Sequence, residues 1–168
     1  LRTTISEQTS AKIKQYLYST MYGPVDSNGN NATGKTARIA GYAMGGKTGT
    51  AQKIPRGNGN YLVSFIGYAP YDEPQVVCYV IVDEPNSDYQ PTSSFAQEIW
   101  KEVMQKSLPY LNIYETEEPP ADMIDEYNAT HAEKAEPEEK LKEIVGHTPI
   151  QVAAGILIGI LNAIFMYQ

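Results

Sequence analysis

One stretch decides how this 168-residue chain is interpreted: residues 45–53, which read Gly-Gly-Lys-Thr-Gly-Thr-Ala-Gln-Lys. Glycine and small side chains dominate it, which suits a strand that another molecule approaches closely. We therefore predict a strand over residues 40–50. Two runs rich in β-branched and aromatic residues follow, at 61–69 and 75–83. The short hinge Pro70–Pro74 between them predicts an antiparallel pair.

Helical patterns flank these strands. Residues 5–22 have Ser6 as a candidate N-cap, and residues 92–107 form a second candidate helix. The apolar face expected for the first helix comprises Ile5, Ile13, Tyr16, Leu17 and Met21. That of the second comprises Phe95, Ile99, Trp100 and Val103. The expected fold class is α/β, with antiparallel sheet strands flanked by helices.

Charge divides the chain into two parts. Residues 1–114 carry ten basic and nine acidic side chains, whereas residues 115–168 carry three basic and eleven acidic ones. The net charge of −7 therefore comes from the second part. Because no basic patch accompanies the folded part, nucleic acid is not an expected partner. No cofactor or metal is expected either: His131 has no partner at metal-ligand spacing, and Cys78 lies in an apolar run typical of a buried structural thiol.

The composition of residues 115–168 indicates two further segments. Residues 115–140 are acidic, contain proline and have few large aliphatic side chains, so we expect a disordered linker. Residues 141–168 end in an uncharged stretch, 149–167, which as a helix would be about 28 Å long, close to the thickness of the hydrocarbon layer. Gly155 and Gly159 give it a small-xxx-small face. We expect an apolar helix that spans a membrane, with a buried or amphipathic soluble helix as the alternative.

The chemistry suggested by residues 47–50 is acyl transfer. A serine that attacks an amide needs a nearby positive charge, a hydrogen-bonding clamp for the substrate and donors for the oxyanion. Lys47 would supply the ammonium group, and the Thr48 and Thr50 hydroxyls would face the substrate carboxylate. The Thr50 N–H would be an oxyanion donor, and Gly49 would let the substrate backbone lie against the strand.

The surroundings of this motif resemble the class B penicillin-binding transpeptidases, whose third motif is K-T-G. The resemblance covers residues 1–114 and is carried by the motif with Ile39–Tyr42, Tyr61–Pro70 and Val80–Pro85. It implies a partial penicillin-binding/β-lactamase-like domain, with residues 1–114 as the C-terminal portion of the transpeptidase domain. It makes Lys47 and Thr50 the expected catalytic residues, and Thr48, Gly49 and Thr50 the substrate-binding ones.

The same resemblance implies partners and a location. The ligands would be peptidoglycan stem peptides ending in D-Ala-D-Ala, and β-lactams; the protein partners would be the cell-wall synthesis machinery. The membrane would be contacted through the C-terminal helix. The location would be the bacterial cell membrane, with the globular part on the extracytoplasmic face.

The family's other two motifs, S-x-x-K and S-x-N, do not occur in the 168 residues. We therefore expect the nucleophile and its lysine to lie upstream of Leu1, and the chain to be inactive alone. The alternative is a non-catalytic, membrane-tethered module that binds a peptide or protein.

Two weaker signals remain in the sequence. Residues 29–36 fit the P-loop pattern but lack its strand-then-helix setting. Residues 139–168 resemble the last segment of the divergent PAP2-related membrane proteins.

Overall fold

The computed structural model of the chain describes residues 3–134. Its order of elements is helix, three strands and two helices, with a 3-10 turn before the first strand and another before the last helix. The helices are α1 (Glu7–Tyr22), α2 (Ser94–Tyr110) and α3 (Ile124–Lys134); the strands are β1 (Gly45–Gln52), β2 (Tyr61–Ala69) and β3 (Val76–Asp83); the turns are Lys35–Ala37 and Ala121–Met123.

The described strands form one antiparallel sheet in the order β1-β2-β3. In its register Lys47 lies opposite Ile66, which lies opposite Tyr79. The prediction of an antiparallel α/β arrangement is confirmed. The predicted bounds of β2 are confirmed as well, whereas β1 begins later than expected, because residues 40–44 are buried without joining the ladder.

The core lies on one face of the sheet, around Phe65 and Trp100. Both side chains are fully buried, and their rings meet edge to face with centroids 5.2 Å apart. The Trp100 indole N–H also donates to the Cys78 carbonyl at 3.0 Å, which joins α2 to β3. Gly67 provides the space, because a Cβ there would lie 2.6 Å from the Trp100 ring.

The two long helices partly match their predicted faces. In α1 the Ser6 side chain accepts a hydrogen bond from the Thr9 N–H, so the predicted N-cap is confirmed. Of its predicted apolar face, Met21 is buried, but Ile13 and Tyr16 are exposed.

The predicted face of α2 was wrong by one position. Apart from Trp100, the buried line is Ala96, Met104 and Leu108, whereas Ile99 and Val103 are nearly half exposed. Apolar residues occupy both lines of this helix, so periodicity alone could not choose between them. Trp100 decides the orientation, because its ring enters the core.

The acidic segment differs from the expected disordered linker. The Thr116 and Glu117 N–H groups donate to the Gly41 carbonyl, and Met123 is buried. Residues 124–134 are helical as part of α3. Specific ion pairs with the folded body hold this segment, and composition does not reveal them. Residues 135–140 of the expected linker lie outside the described residues.

Contacts divide the chain into two compact units, residues 1–127 and 128–168. Of the second unit the structure describes only the end of α3, so the expected apolar helix over 141–168 lies outside the described residues. Among residues 3–134, no helix combines the length and apolar character needed to cross a membrane.

Arg38 and Asp122 form a short ion pair that joins the acidic segment to the folded body. The guanidinium lies 2.6 Å from the carboxylate, and the Arg38 side chain is only 10% exposed whereas that of Asp122 is 47% exposed. Lys35 lies 3.3 Å from the same carboxylate oxygen. The hydrogen bond from Arg38 lowers the pKa of Asp122.

We predict that Asp122→Asn destabilises the chain by about 1 kcal/mol at neutral pH, since it leaves a mostly buried guanidinium without its anion. Because the folded-state pKa of Asp122 is lowered, this stabilisation is present above the ordinary carboxyl pKa of about 4 and is lost as pH falls through the lowered value. Urea unfolding at several pH values measures it. Asp125→Asn, an exposed change of equal charge, is the control; equal losses for both variants at neutral pH would contradict the prediction.

Candidate functional site

The outer edge of β1 is the candidate site, and its backbone polarity follows from the ladder. In antiparallel pairs, alternate residues direct both their N–H and their C=O groups to the same neighbour. The Gly46 carbonyl accepts the Thr20 hydroxyl, and the Thr48 carbonyl accepts the Lys47 ammonium at 2.8 Å. Both donors are side-chain groups, and the odd-numbered Lys53 is the residue that donates its backbone N–H toward β2, to the Asn60 carbonyl. The even-numbered residues therefore direct their backbone groups to the outer edge. By the same alternation the Thr50 N–H faces outward.

Side chains of β1 alternate between the two faces of the sheet. Lys47 is opposite Ile66, which is 43% exposed, whereas Thr48 is opposite the buried Phe65. Lys47 and Gly49 therefore share the open face, and Thr48 and Thr50 share the core face. Thr48 is half-buried; Lys47 and Thr50 are exposed. The structure thus brings the four residues to one edge but distributes them over two faces.

The Lys47 side chain folds along this edge. Its ammonium group is 2.8 Å from the Thr48 carbonyl oxygen and 3.5 Å from the Thr48 hydroxyl oxygen. No carboxylate forms an ion pair with Lys47 among the residues that the structure describes. A positive charge beside outward-directed N–H groups can bind an anionic or strongly polarised oxygen.

Gly49 has a specific structural reason to be glycine. A Cβ built there would lie 2.5 Å from the Ser64 Oγ atom but 3.8 Å from the Ser64 Cβ atom. Ser64 is 7% exposed, and its hydroxyl lies 3.4 Å from the Tyr79 hydroxyl. Beside Lys47, Gly49 therefore leaves the sheet surface without a protruding side chain, and the buried Ser64 hydroxyl makes that surface polar.

A second lysine at the far end of the strand has a different environment. Lys53 lies 2.9 Å from an Asp83 carboxylate oxygen and 2.7 Å from one of Glu84. Its hydrogen bonds to Glu84 and then to Asp83 raise its pKa. Lys53 therefore joins the ends of β1 and β3. Lys47, by contrast, has no carboxylate partner among the described residues and can contact a ligand at the outer edge of β1.

Sequence reasoning missed two contributors to the site, Thr20 and Ser64. Thr20 is on α1, and its hydroxyl holds the Gly46 carbonyl at the start of the motif; a separation of 26 residues gives no sequence signal for this contact. The position of Ser64 could have been found from a hairpin register that pairs it with Gly49. Within residues 3–134, no group of histidine, cysteine or acidic side chains is arranged to hold a metal ion.

We predict that Gly49→Ala destabilises the chain by about 1 kcal/mol, because the new methyl group collides with the Ser64 hydroxyl. Adding Ser64→Ala should recover most of this loss, since only the Oγ atom is too close. Urea unfolding of the two single variants and the double variant gives the coupling free energy. If the stability losses of the two single variants simply add in the double variant, the collision is not with Ser64.

Comparisons with known proteins point to one protein family. The family profile described as "Penicillin binding protein transpeptidase domain" matches residues 2–105. Stage V sporulation protein D of Bacillus subtilis is 42% identical over 112 residues, which cover 65% of this chain and 16% of that protein. No support emerges for a resemblance of residues 139–168 to PAP2-related proteins.

Solved structures give the same result. The transpeptidase domain of Burkholderia pseudomallei penicillin-binding protein 3 matches with a TM-score of 0.53 and 30% identity, over 66% of this chain and 32% of that one. Penicillin-binding protein 3 of Mycobacterium tuberculosis, complexed with ampicillin, matches with a TM-score of 0.55 and 31% identity, over 68% and 26%. The chain therefore spans about a third or less of the proteins it matches. With most of its length matched by the family profile, it belongs to the transpeptidase domain family of penicillin-binding proteins.

Proposed function

We propose that this chain supplies the substrate-binding strand of a peptidoglycan D,D-transpeptidase. The observation that carries the proposal is the outer edge of β1, where the Lys47 ammonium donates to the outward-directed Thr48 carbonyl and the Thr50 N–H faces outward by the alternation of the ladder. A peptide laid against this edge would pair with the strand as an added β-strand. Membership of the family makes a stem peptide ending in D-Ala-D-Ala, or a β-lactam, the fitting ligand.

Each residue has a distinct part in this proposal. The Thr50 N–H stabilises the oxyanion, and the Thr48 and Thr50 hydroxyls bind the substrate carboxylate. Gly49 leaves room for the substrate backbone. Lys47 adds a positive charge near the negative charge that develops in the transition state. Exclusion of water from the site would strengthen this electrostatic attraction.

The attacking serine has to come from elsewhere than these 168 residues. No serine of the chain begins an S-x-x-K pattern, and none begins S-x-N. The proposal is therefore that the chain binds substrate and does not acylate by itself. It would act with the cell-wall synthesis machinery, on the extracytoplasmic face of a bacterial membrane.

Penicillin labelling tests this proposal. The unaltered 168-residue chain should not be labelled covalently by a fluorescent penicillin. A hybrid in which residues 1–134 replace the matching part of M. tuberculosis penicillin-binding protein 3 should be labelled. In the hybrid, Lys47→Ala should slow labelling by about 100-fold, the size expected for losing a group that stabilises the transition state.

The matched control is Lys53→Ala in the same hybrid. Lys53 is equally basic and lies on the same hairpin, but its exposed ion pairs contribute little, so labelling should stay within about twofold. Covalent labelling of the unaltered chain would refute the claim that the nucleophile is external. Unchanged labelling of the Lys47→Ala hybrid would refute the role given to this lysine.

A further inference from the structure

Residues 40–44 lead directly into β1 and are buried, although they belong to no strand. We call them the entry segment. A buried backbone group that finds no partner costs free energy comparable to a lost hydrogen bond. Because the entry segment lies outside the ladder, its N–H and C=O groups have to be bonded by other elements.

Some of these bonds come from residues that follow α2. The Thr116 and Glu117 N–H groups donate to the Gly41 carbonyl at 2.8 and 3.1 Å. The Thr116 Oγ1 atom accepts from the Ala43 N–H at 3.0 Å. Thr116 therefore contacts the entry segment at two points, once with its backbone and once with its side chain. We call residues 113–117 the strap.

The strap is anchored on both sides of Thr116. At its start, the Ile113 carbonyl accepts the Tyr42 hydroxyl at 3.0 Å. Beyond its end, the ion pair between Arg38 and Asp122 ties the following residues to the folded body. Because neither anchor uses the Thr116 side chain, the strap should stay in place when that side chain is changed.

The last turn of α1 bonds the same stretch of chain. The Tyr22 hydroxyl donates to the Tyr42 carbonyl at 2.8 Å, and the Thr20 hydroxyl donates to the Gly46 carbonyl. The chain that enters the motif is thus held by side chains of two elements, α1 and the strap. Only the first of these lies within the part of the chain that matches the transpeptidase profile, which ends at residue 105.

We propose that Thr116 is a positioning residue for the transpeptidase reaction. By fixing the entry segment at Gly41 and Ala43, it sets where β1 begins and hence where Lys47 lies, four residues after Ala43. A displacement of about 1 Å in a group that acts on the reacting atoms can slow a reaction by about 100-fold. The catalytic consequence rests on the proposed function, whereas the hold of Thr116 on the entry segment does not.

Amide hydrogen exchange of the full chain tests that hold without any ligand. Thr116→Val removes the hydroxyl oxygen and keeps the shape of the side chain. Exchange at Ala43 should become about tenfold faster, and exchange at Lys47, whose N–H pairs with β2, about threefold faster. Exchange at Val80 in β3 should stay within about twofold, since the sheet as a whole is unaffected. Thr116→Ser keeps the hydroxyl and should restore the original rates.

Penicillin kinetics test the positioning role, in the hybrid that carries residues 1–134. Thr116→Val should slow the acylation step by about tenfold, because Lys47 is displaced in the transition state. The dissociation constant of the noncovalent penicillin complex should change by less than about twofold, because the groups of Thr48 and Thr50 that bind the ligand are retained. Thr116→Ser should acylate at the original rate.

Ser107→Ala is the matched control. It also removes a hydroxyl, but the Ser107 hydroxyl donates at 2.7 Å to the Val103 carbonyl of its own helix, α2, and does not contact the entry segment. This variant should leave both the exchange rates and the acylation rate within about twofold of the original.

The possible outcomes separate this inference from the proposed function. Unchanged exchange at Ala43 in Thr116→Val, or equal acceleration at Ala43 and Val80, would overturn the hold of Thr116 on the entry segment. Faster exchange at Ala43 with unchanged acylation would overturn the positioning role. If the hybrid with Thr116 intact is not labelled at all, the proposed function fails, while selective acceleration at Ala43 would still support the hold.

Discussion

The edge-to-face contact between Phe65 and Trp100 is the interaction on which the rest of the described structure depends. It joins the central strand to α2, and the hydrogen bond from Trp100 to the Cys78 carbonyl extends the connection to β3. A Cβ at Gly46 or at Gly67 would collide with one of these rings. Because the core is concentrated on this face of the sheet, the opposite face is left open.

That arrangement explains why a strand so poor in large side chains can still be well positioned. Of the residues in β1, only Gly45 and Gly46 are buried, so the strand contributes little hydrophobic contact of its own. Its position is set by pairing with β2 and by the hydroxyl of Thr20 on α1. The motif is thus held by its backbone, and the side chains of Lys47 and Thr50 remain exposed.

Sequence reasoning found the parts of the structure that have local signals. The strand pair around Pro70–Pro74 and the N-cap Ser6 were predictable, because turn chemistry and capping act over a few residues. The inward line of α2 was not predictable, because both candidate lines are apolar and Trp100 selects one through a distant contact. For the site, the motif identified the edge, but the separation of Lys47 and Thr48 onto opposite faces required the register. The roles assigned to these residues remain proposals.

The segment after α2 bears on where this domain ends. The family profile stops at residue 105 and the charge balance changes at residue 114, yet Thr116 and Glu117 are bonded to Gly41, and the first compact unit continues to Tyr127. The physical boundary is therefore later than either sequence criterion suggests. A recombinant version cut at residue 114 would remove the donors to the Gly41 carbonyl and the anion beside Arg38. Expression boundaries for this part of the protein should consequently be placed beyond residue 127.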